Sequence, residues 1–332
     1  MIIDIHGHIL DVAYRSKKPL NFSLGGLTDV PLMRVGGVTG QLCAIWTPNI
    51  MLSGPHSHSV ETPLKTTLEV LDYVHRELSG PAGEDVLLVR SLVDLQTAES
   101  KGCVALIIGM EGTDALGGDP RVLQNLHSLG LRHVGLVHEH ANEFGSASQV
   151  WEKGKMRVYK EGKDSKGYLS DRGRKLLEEM YRLGILIDLT HLVEPGFWEV
   201  LEFVKGPVLV SHGGARSLTN SVRYLSDKQI VAIAHNGGLI GASPTPLVPS
   251  NEQPGLPLLL DTIDYLVKLV GADHVGIGTD FKDQLDYYPP PFTKSSETPA
   301  VVQGLRNRGY NTASIDQIIG GNFLRLFEQV VG

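Results

Sequence analysis

Ile2-Ile3-Asp4-Ile5-His6-Gly7-His8 opens the chain as a short apolar run that stops on two histidines, and this form recurs along the sequence. Further runs of strand length are Gly40–Trp46, Val104–Gly109, His133–Val137, Ile185–Leu189, Val208–Val210, Leu239–Ala242 and Val275–Gly278. They are continuous rather than alternating, as expected of strands buried on both faces of a parallel sheet. Amphipathic stretches lie between them: Thr62–Leu78, Leu92–Lys101, Val122–Leu129, Ser170–Leu183, Pro195–Val204, Ser226–His235 and Pro257–Val270. Ser170 and Ser226 offer capping hydroxyls, and Pro195 suits a first helical turn. Eight strands with helical segments between them fit a (β/α)8 TIM barrel, an α/β fold, with extra C-terminal helices over Ser295–Arg308 and Ala313–Val331. A doubly wound open sheet shares the alternation and competes with it.

The chain has 332 residues, a formal charge of −7, 42% apolar and 20% charged residues, which suits a folded globular protein and excludes a disordered one. No repeat or linker divides it, so residues 1–332 read as a single domain. The mild acidity argues against nucleic acid as a partner. Cys43 and Cys103 sit in apolar runs and read as core thiols rather than a disulfide. No apolar run reaches the roughly 18 residues of a membrane span, and the start carries no targeting signal. A soluble, cytoplasmic protein with no membrane partner is the expectation.

The strand ends carry the chemistry. Six of them stop on a histidine or a carboxylate: His6 and His8, Glu111, His138, His191, His212 and Asp280. In a barrel they converge on the C-terminal rim, where sites of this fold are built. His6 and His8, two apart on an extended chain, leave one face about 6–7 Å apart, with Gly7 leaving room for close approach. Imidazole and carboxylate are the donors that zinc-like divalent ions prefer. Four histidines with Glu111 and Asp280 exceed what one catalytic zinc uses, and a carboxylate bridging two ions explains the excess. Taken singly, each residue has a plainer reading: a loop histidine pair, a helix cap at Glu111 or Asp280, a core histidine at His191. Taken together, at the same end of successive strands, they point to a metal site. His56 and His58 read as loop residues, and His127, His133 and His235 as structural ones within or beside helices. His140, two residues after His138, is a lesser candidate. No phosphate-cradling or nicotinamide fingerprint follows the first strand, and neither cysteine is paired for nucleophilic catalysis.

With these residues in place, the chain resembles the membrane (renal) dipeptidase family of the amidohydrolase superfamily. The resemblance is carried by Thr28-Asp29-Val30-Pro31, Gly36-Gly37-Val38-Thr39-Gly40-Gln41, Gly109-Met110-Glu111-Gly112, Asp188-Leu189-Thr190-His191, Ser211-His212, Gly278-Thr279-Asp280-Phe281 and Gly320-Gly321-Asn322-Phe323. It implies two zinc ions, one held by His6 and His8, the other by His191 and His212, with Glu111 bridging. It further implies that His138 contacts the scissile carbonyl and that Arg223 grips the substrate carboxylate. Asp280 would lie near the bridging water and the substrate's amino group. The family also implies a homodimer.

The expected activity is hydrolysis of the amide of a small dipeptide-like substrate with a free carboxylate, by a metal-bridging hydroxide. Two departures from the family pattern bear on it. His8 stands where Asp is usual, and Lys282-Asp283 replaces Asp-Gly after Phe281. A lysine pointing inward disfavours a substrate ammonium, which keeps open a second activity on an N-acyl amino acid, lactam or lactone. A non-catalytic binding protein is the third reading. The loops Pro48–Glu61, Glu139–Gly167 and Pro244–Gly255 are expected to set specificity.

Overall fold

Every apolar run singled out above becomes a strand. The structure, a computed structural model, describes residues 1–46, 62–152, 155–159, 168–244, 255–282 and 292–332. His56, His58, the expected specificity loop Pro48–Glu61, most of Pro244–Gly255 and part of Glu139–Gly167 lie outside these residues. The chain runs β1 (Ile3–Gly7), α1 (Ile9–Ser16), α2 (Val30–Val35), β2 (Gly40–Ile45), α3 (Pro63–Leu78), β3 (Val86–Leu88), α4 (Leu92–Lys101) and β4 (Val104–Glu111). There follow α5 (Val122–Ser128), β5 (Leu131–Gly135), β6 (Gln149–Glu152), β7 (Lys155–Val158), α6 (Asp171–Leu183), β8 (Leu186–Asp188), α7 (Glu194–Phe203) and β9 (Leu209–Gly213). The last elements are α8 (Asp227–His235), β10 (Leu239–Ala242), α9 (Leu256–Val270), β11 (Val275–Ile277), α10 (Thr298–Asn307), α11 (Thr312–Asp316) and α12 (Asn322–Val330).

Eight parallel strands pair in the order β1-β2-β4-β5-β8-β9-β10-β11. The open-sheet alternative is overturned at the seam. Gly7 bridges Phe281 in parallel register, the Asp280 amide donates to His6 O at 2.9 Å, and the His8 amide donates to Phe281 O at 3.0 Å. The sheet is a nearly closed (β/α)8 barrel. The predicted caps form where expected: Ser170 accepts from the Gly173 amide, and Ser226 makes a reciprocal capping box with Gln229. Helices α1 and α2 after the first strand were not expected, nor were β3, which pairs only with β4, and the β6–β7 hairpin. A signal for α2 existed in Asp29, whose carboxylate accepts from the Leu32 amide ahead of Pro31.

The strand period of two sorts the core. Cys43, Ile45, Leu106 and Ile108 face the surrounding helices, whereas Leu42, Ala105, Ile107, Leu186, Leu209 and Leu239 join Ile3 and Ile5 in a second cluster. Phe323, Leu326 and Phe327 of α12 complete that cluster. Asn322 pins the start of α12 by donating to Ala272 O (2.6 Å) and Val275 O (2.8 Å). Both cysteines are free and buried.

Candidate functional site at the C-terminal rim

The barrel is irregular where the candidate residues sit. Between Asp4 and Gly7 the pairing of β1 with β2 slips, placing an extra residue in β1 beside His6. Between Val210 and Gly213 the pairing of β9 with β10 slips in the same way beside Ser211-His212. Such bulges re-aim side chains that a regular pleat would alternate. His8 lies beyond the end of β1, at φ −118° and ψ 31°, so it is not on an extended strand as the spacing suggested. Its ring centroid is nonetheless 5.2 Å from that of His6. The room at Gly7 serves a different neighbour: a Cβ there would collide with the Gln41 side chain. His191 and Asp280 adopt positive φ, 68° and 56°, a conformation that costs a non-glycine residue on the order of 1 kcal/mol or more.

These irregularities gather one cluster. His191 Nε2 lies 3.1 Å from Glu111 Oε1, His6 Nε2 3.5 Å, His212 Nε2 3.6 Å and His138 Nε2 3.7 Å. His8 Nε2 is 3.6 Å from Glu111 Oε2 and 3.0 Å from Asp280 Oδ1. Arg223, buried, brings Nη2 to 3.3 Å from His191 Nε2. All seven rim residues predicted from the strand ends, and Arg223, are therefore together and buried. His140 is not among them; its Nε2 pairs with Asp114 Oδ1 at 2.7 Å. His133 is structural as expected, but it lies within β5 rather than beside a helix, and its ring pairs with Asp188 at 2.8 Å.

A chain of hydrogen bonds fixes where the ring protons sit. Burial would raise the Asp188 carboxyl, but bonds from His133, Ser211 and Thr190 outweigh it and hold it well below the usual range, so it only accepts. Thr190 Oγ1 donates to Asp188 Oδ1 at 2.6 Å, and Ser211 Oγ must then donate to Thr190 Oγ1 at 3.3 Å. Ser211 Oγ is left to accept from both His6 Nδ1 (3.1 Å) and His212 Nδ1 (3.2 Å). Both rings consequently present a bare Nε2 to Glu111, and His6 Nε2 has no hydrogen-bond partner. Acceptors facing an acceptor in a buried site call for a cation between them. Nitrogen and carboxylate oxygen are the donors that zinc-class ions take, so the residues present fit a divalent metal.

Burial pushes His6 down to about 4 and takes His138 and His212 well below the usual histidine value. His8 departs from this: burial opposes its charge, but the bonds to Asp11 and Asp280 prevail and raise it to about 9. Glu111 stays well below the carboxylate range because the histidines around it overcome its burial. Burial and the nearby Glu111 raise Glu139 to about 7.

A parallel barrel carrying such a cluster on its rim defines a metal-dependent hydrolase. The chain belongs to the membrane dipeptidase family (peptidase family M19), whose model matches residues 2–331. It is 30% identical over 318 residues to a dipeptidase of Aspergillus terreus, covering 92% of this chain and 77% of the relative. The crystal structure of the metallopeptidase dipeptidase AC superposes with a TM-score of 0.85 at 26% identity, covering 100% of this chain and 98% of that one. A metallopeptidase of Rhodobacter sphaeroides, bound to a phosphinate mimic of the dipeptide L-Ala-D-Ala, also gives 0.85, at 25% identity and 99% coverage of both chains.

Several residues of the site escaped the sequence reading. Asp4 accepts from Thr279 Oγ1 (2.7 Å) and Gln41 Nε2 (2.9 Å), joining β1 to its two barrel neighbours. Asp11 Oδ2 lies 3.5 Å from His8 Nδ1 and accepts from the Trp46 amide at 3.1 Å. Ser211, Asp188 and Glu139 were likewise passed over as actors. The one available signal was a carboxylate inside an otherwise apolar strand, at Asp4 and Asp188.

Proposed function

We propose that this chain hydrolyses the amide of a small dipeptide with a free carboxylate, using two divalent ions, zinc by donor preference. His6 and His8 would hold one, His191 and His212 the other, and Glu111 both. The observation that carries the reading is the gathering of four imidazole Nε2 atoms within 3.1–3.7 Å of Glu111 Oε1, beside a buried arginine. Ions held there supply Lewis-acid activation of water and of the scissile carbonyl at neutral pH. Asp280, kept ionised by Lys282 and His8 against its burial, takes the proton of the attacking water and returns it to the leaving amine. His138 turns its Nε2 to the oxygen that gains charge. The planar fork of Arg223 takes the substrate carboxylate and sets its register. The phosphinate dipeptide mimic bound by the Rhodobacter sphaeroides relative supports the same substrate class.

One observation favours a second reading, on an N-acyl amino acid, lactam or lactone. Lys282, its side chain partly exposed, brings Nζ to 3.2 Å from Asp280 Oδ1 and so sets a cation beside the carboxylate proposed to face a substrate ammonium. Elemental analysis, followed by hydrolysis of L,L and L,D dipeptides beside N-acyl amino acids, separates the two. Near two metals per chain with chelator-sensitive dipeptide turnover supports the first. Turnover of only the blocked substrates supports the second, and under one metal per chain after reconstitution defeats both. Arg223→Ala is expected to lower kcat/KM for the carboxylate-bearing substrate about 10–100-fold.

A further inference from the structure

We infer that Trp46 is a positioning residue that holds His138 in the tautomer with its proton on Nε2, and so separates this histidine from the metal-holding ones beside it. The inference rests on the role proposed above for His138. Distance alone does not make that separation. His138 forms with Glu111 and His191 a group whose ligand atoms all lie within 4.8 Å of one another, as close as the other candidate groups. Its ring centroid is 4.3 Å from that of His191.

The hydrogen-bond partners of the rings do distinguish them. The indole N–H of Trp46 lies 2.9 Å from His138 Nδ1. An indole nitrogen only donates, so Nδ1 must offer its lone pair and the single proton of the neutral ring goes to Nε2. His6 and His212 have the reverse arrangement, their Nδ1 protons given to Ser211 and their Nε2 atoms bare. A bare Nε2 takes a cation; a protonated one gives a hydrogen bond to an oxygen. The serine and the tryptophan thus divide neighbouring histidines into two chemical kinds.

Trp46 is itself held for this task. It follows directly on β2, and its backbone amide donates to Asp11 Oδ2 at 3.1 Å, the oxygen that also lies 3.5 Å from His8 Nδ1. The indole meets the His138 ring edge-on, with centroids 5.2 Å apart at 66°. Phenylalanine at this position keeps an aromatic ring near the imidazole and removes the donor together with part of the indole's volume.

The test is a long-range proton–nitrogen NMR spectrum of the zinc-loaded protein labelled with 15N-histidine, the His138 signals being identified by their loss in His138→Ala. The wild type is expected to show His138 protonated at Nε2. In Trp46→Phe the His138 nitrogens should move toward a mixture of the two tautomers. Over the same substitution kcat is expected to fall about tenfold, with KM and zinc content unchanged. A wild-type His138 protonated at Nδ1 overturns the inference whether or not the variant folds. So does a Trp46→Phe protein that keeps both its tautomer and its kcat. If His138→Ala itself leaves turnover intact, it is the proposed role of His138 that fails; if His138→Ala collapses turnover while Trp46→Phe does not, only the role of Trp46 fails.

Discussion

The strands of the barrel lead from an apolar core backed by α12 to a rim of a different kind. In the core, Ile3, Leu186, Leu209 and Leu239 meet Phe323, Leu326 and Phe327, all shielded from water. At the C-terminal rim, the sheet is bulged beside His6 and His212, His191 and Asp280 sit at positive φ, and the buried side chains are imidazoles and carboxylates. The core is stabilised by burial and tolerates apolar exchange of similar volume. The rim is held by a directed network in which Ser211 and Trp46 set the proton positions of His6, His212 and His138. Stability and chemistry are therefore concentrated in different parts of the same eight strands.

The sharpest way to break this division is Glu111→Gln, which removes the carboxylate between the imidazoles. Several kcal/mol of transition-state stabilisation go with it, so turnover should fall on the order of 10³-fold or more while cooperative unfolding persists. Steady-state kinetics beside a thermal melt reads both. The opposite change is Phe327→Ala in the core, where emptying a fully buried site should cost about 3–5 kcal/mol in urea unfolding. The kcat of the folded fraction should not move; a fall comparable to that of Glu111→Gln would erase the division.

Ser211→Ala is a finer probe, because it removes the shared acceptor of His6 and His212 without touching a proposed ligand. Metal affinity should drop about 10–100-fold in competition with a chelator, with less effect on unfolding. An effect of comparable size is expected from pH. Without metal, His8 is raised to about 9 from the ordinary 6.5, so its contribution to stability is complete below 6.5 and lost as pH rises through about 9. A metal taking His8 Nε2 must displace that proton, so affinity should climb with pH across this window, by at most about tenfold per unit, and level off above it. Titrations of metal uptake at pH 6.5, 7.5 and 8.5 test the sign; affinity falling with pH would refute the assignment of His8.

Much of this was legible in the sequence. The eight barrel strands follow from continuous apolar runs, and the rim residues from the habit of those runs to end on His, Glu or Asp. Short elements escaped for physical reasons. β3 contributes three residues and pairs with β4, and α1 begins at Ile9 after a His8 that makes no side-chain cap. Trp46 escaped because its partner lies in another segment, and Asp11 and Ser211 because each joins a neighbouring histidine to a residue of a distant segment. The Trp46–His138 bond spans 92 positions and that of Ser211 with His6 spans 205, and no local spacing encodes such pairs.

By itself, then, the sequence determined the parallel alternation, the polar strand ends and the residues able to bind metal, because side-chain periodicity and donor type are properties of the local chain. Tertiary structure decided the rest. It closed the sheet through Gly7 and Phe281, turned Lys282 toward Asp280, and assigned the ring protons through Ser211, Thr190 and Asp188. The reason is that a histidine's protonated nitrogen is set by whichever group faces it, and that neighbour arrives only when distant strands are brought side by side.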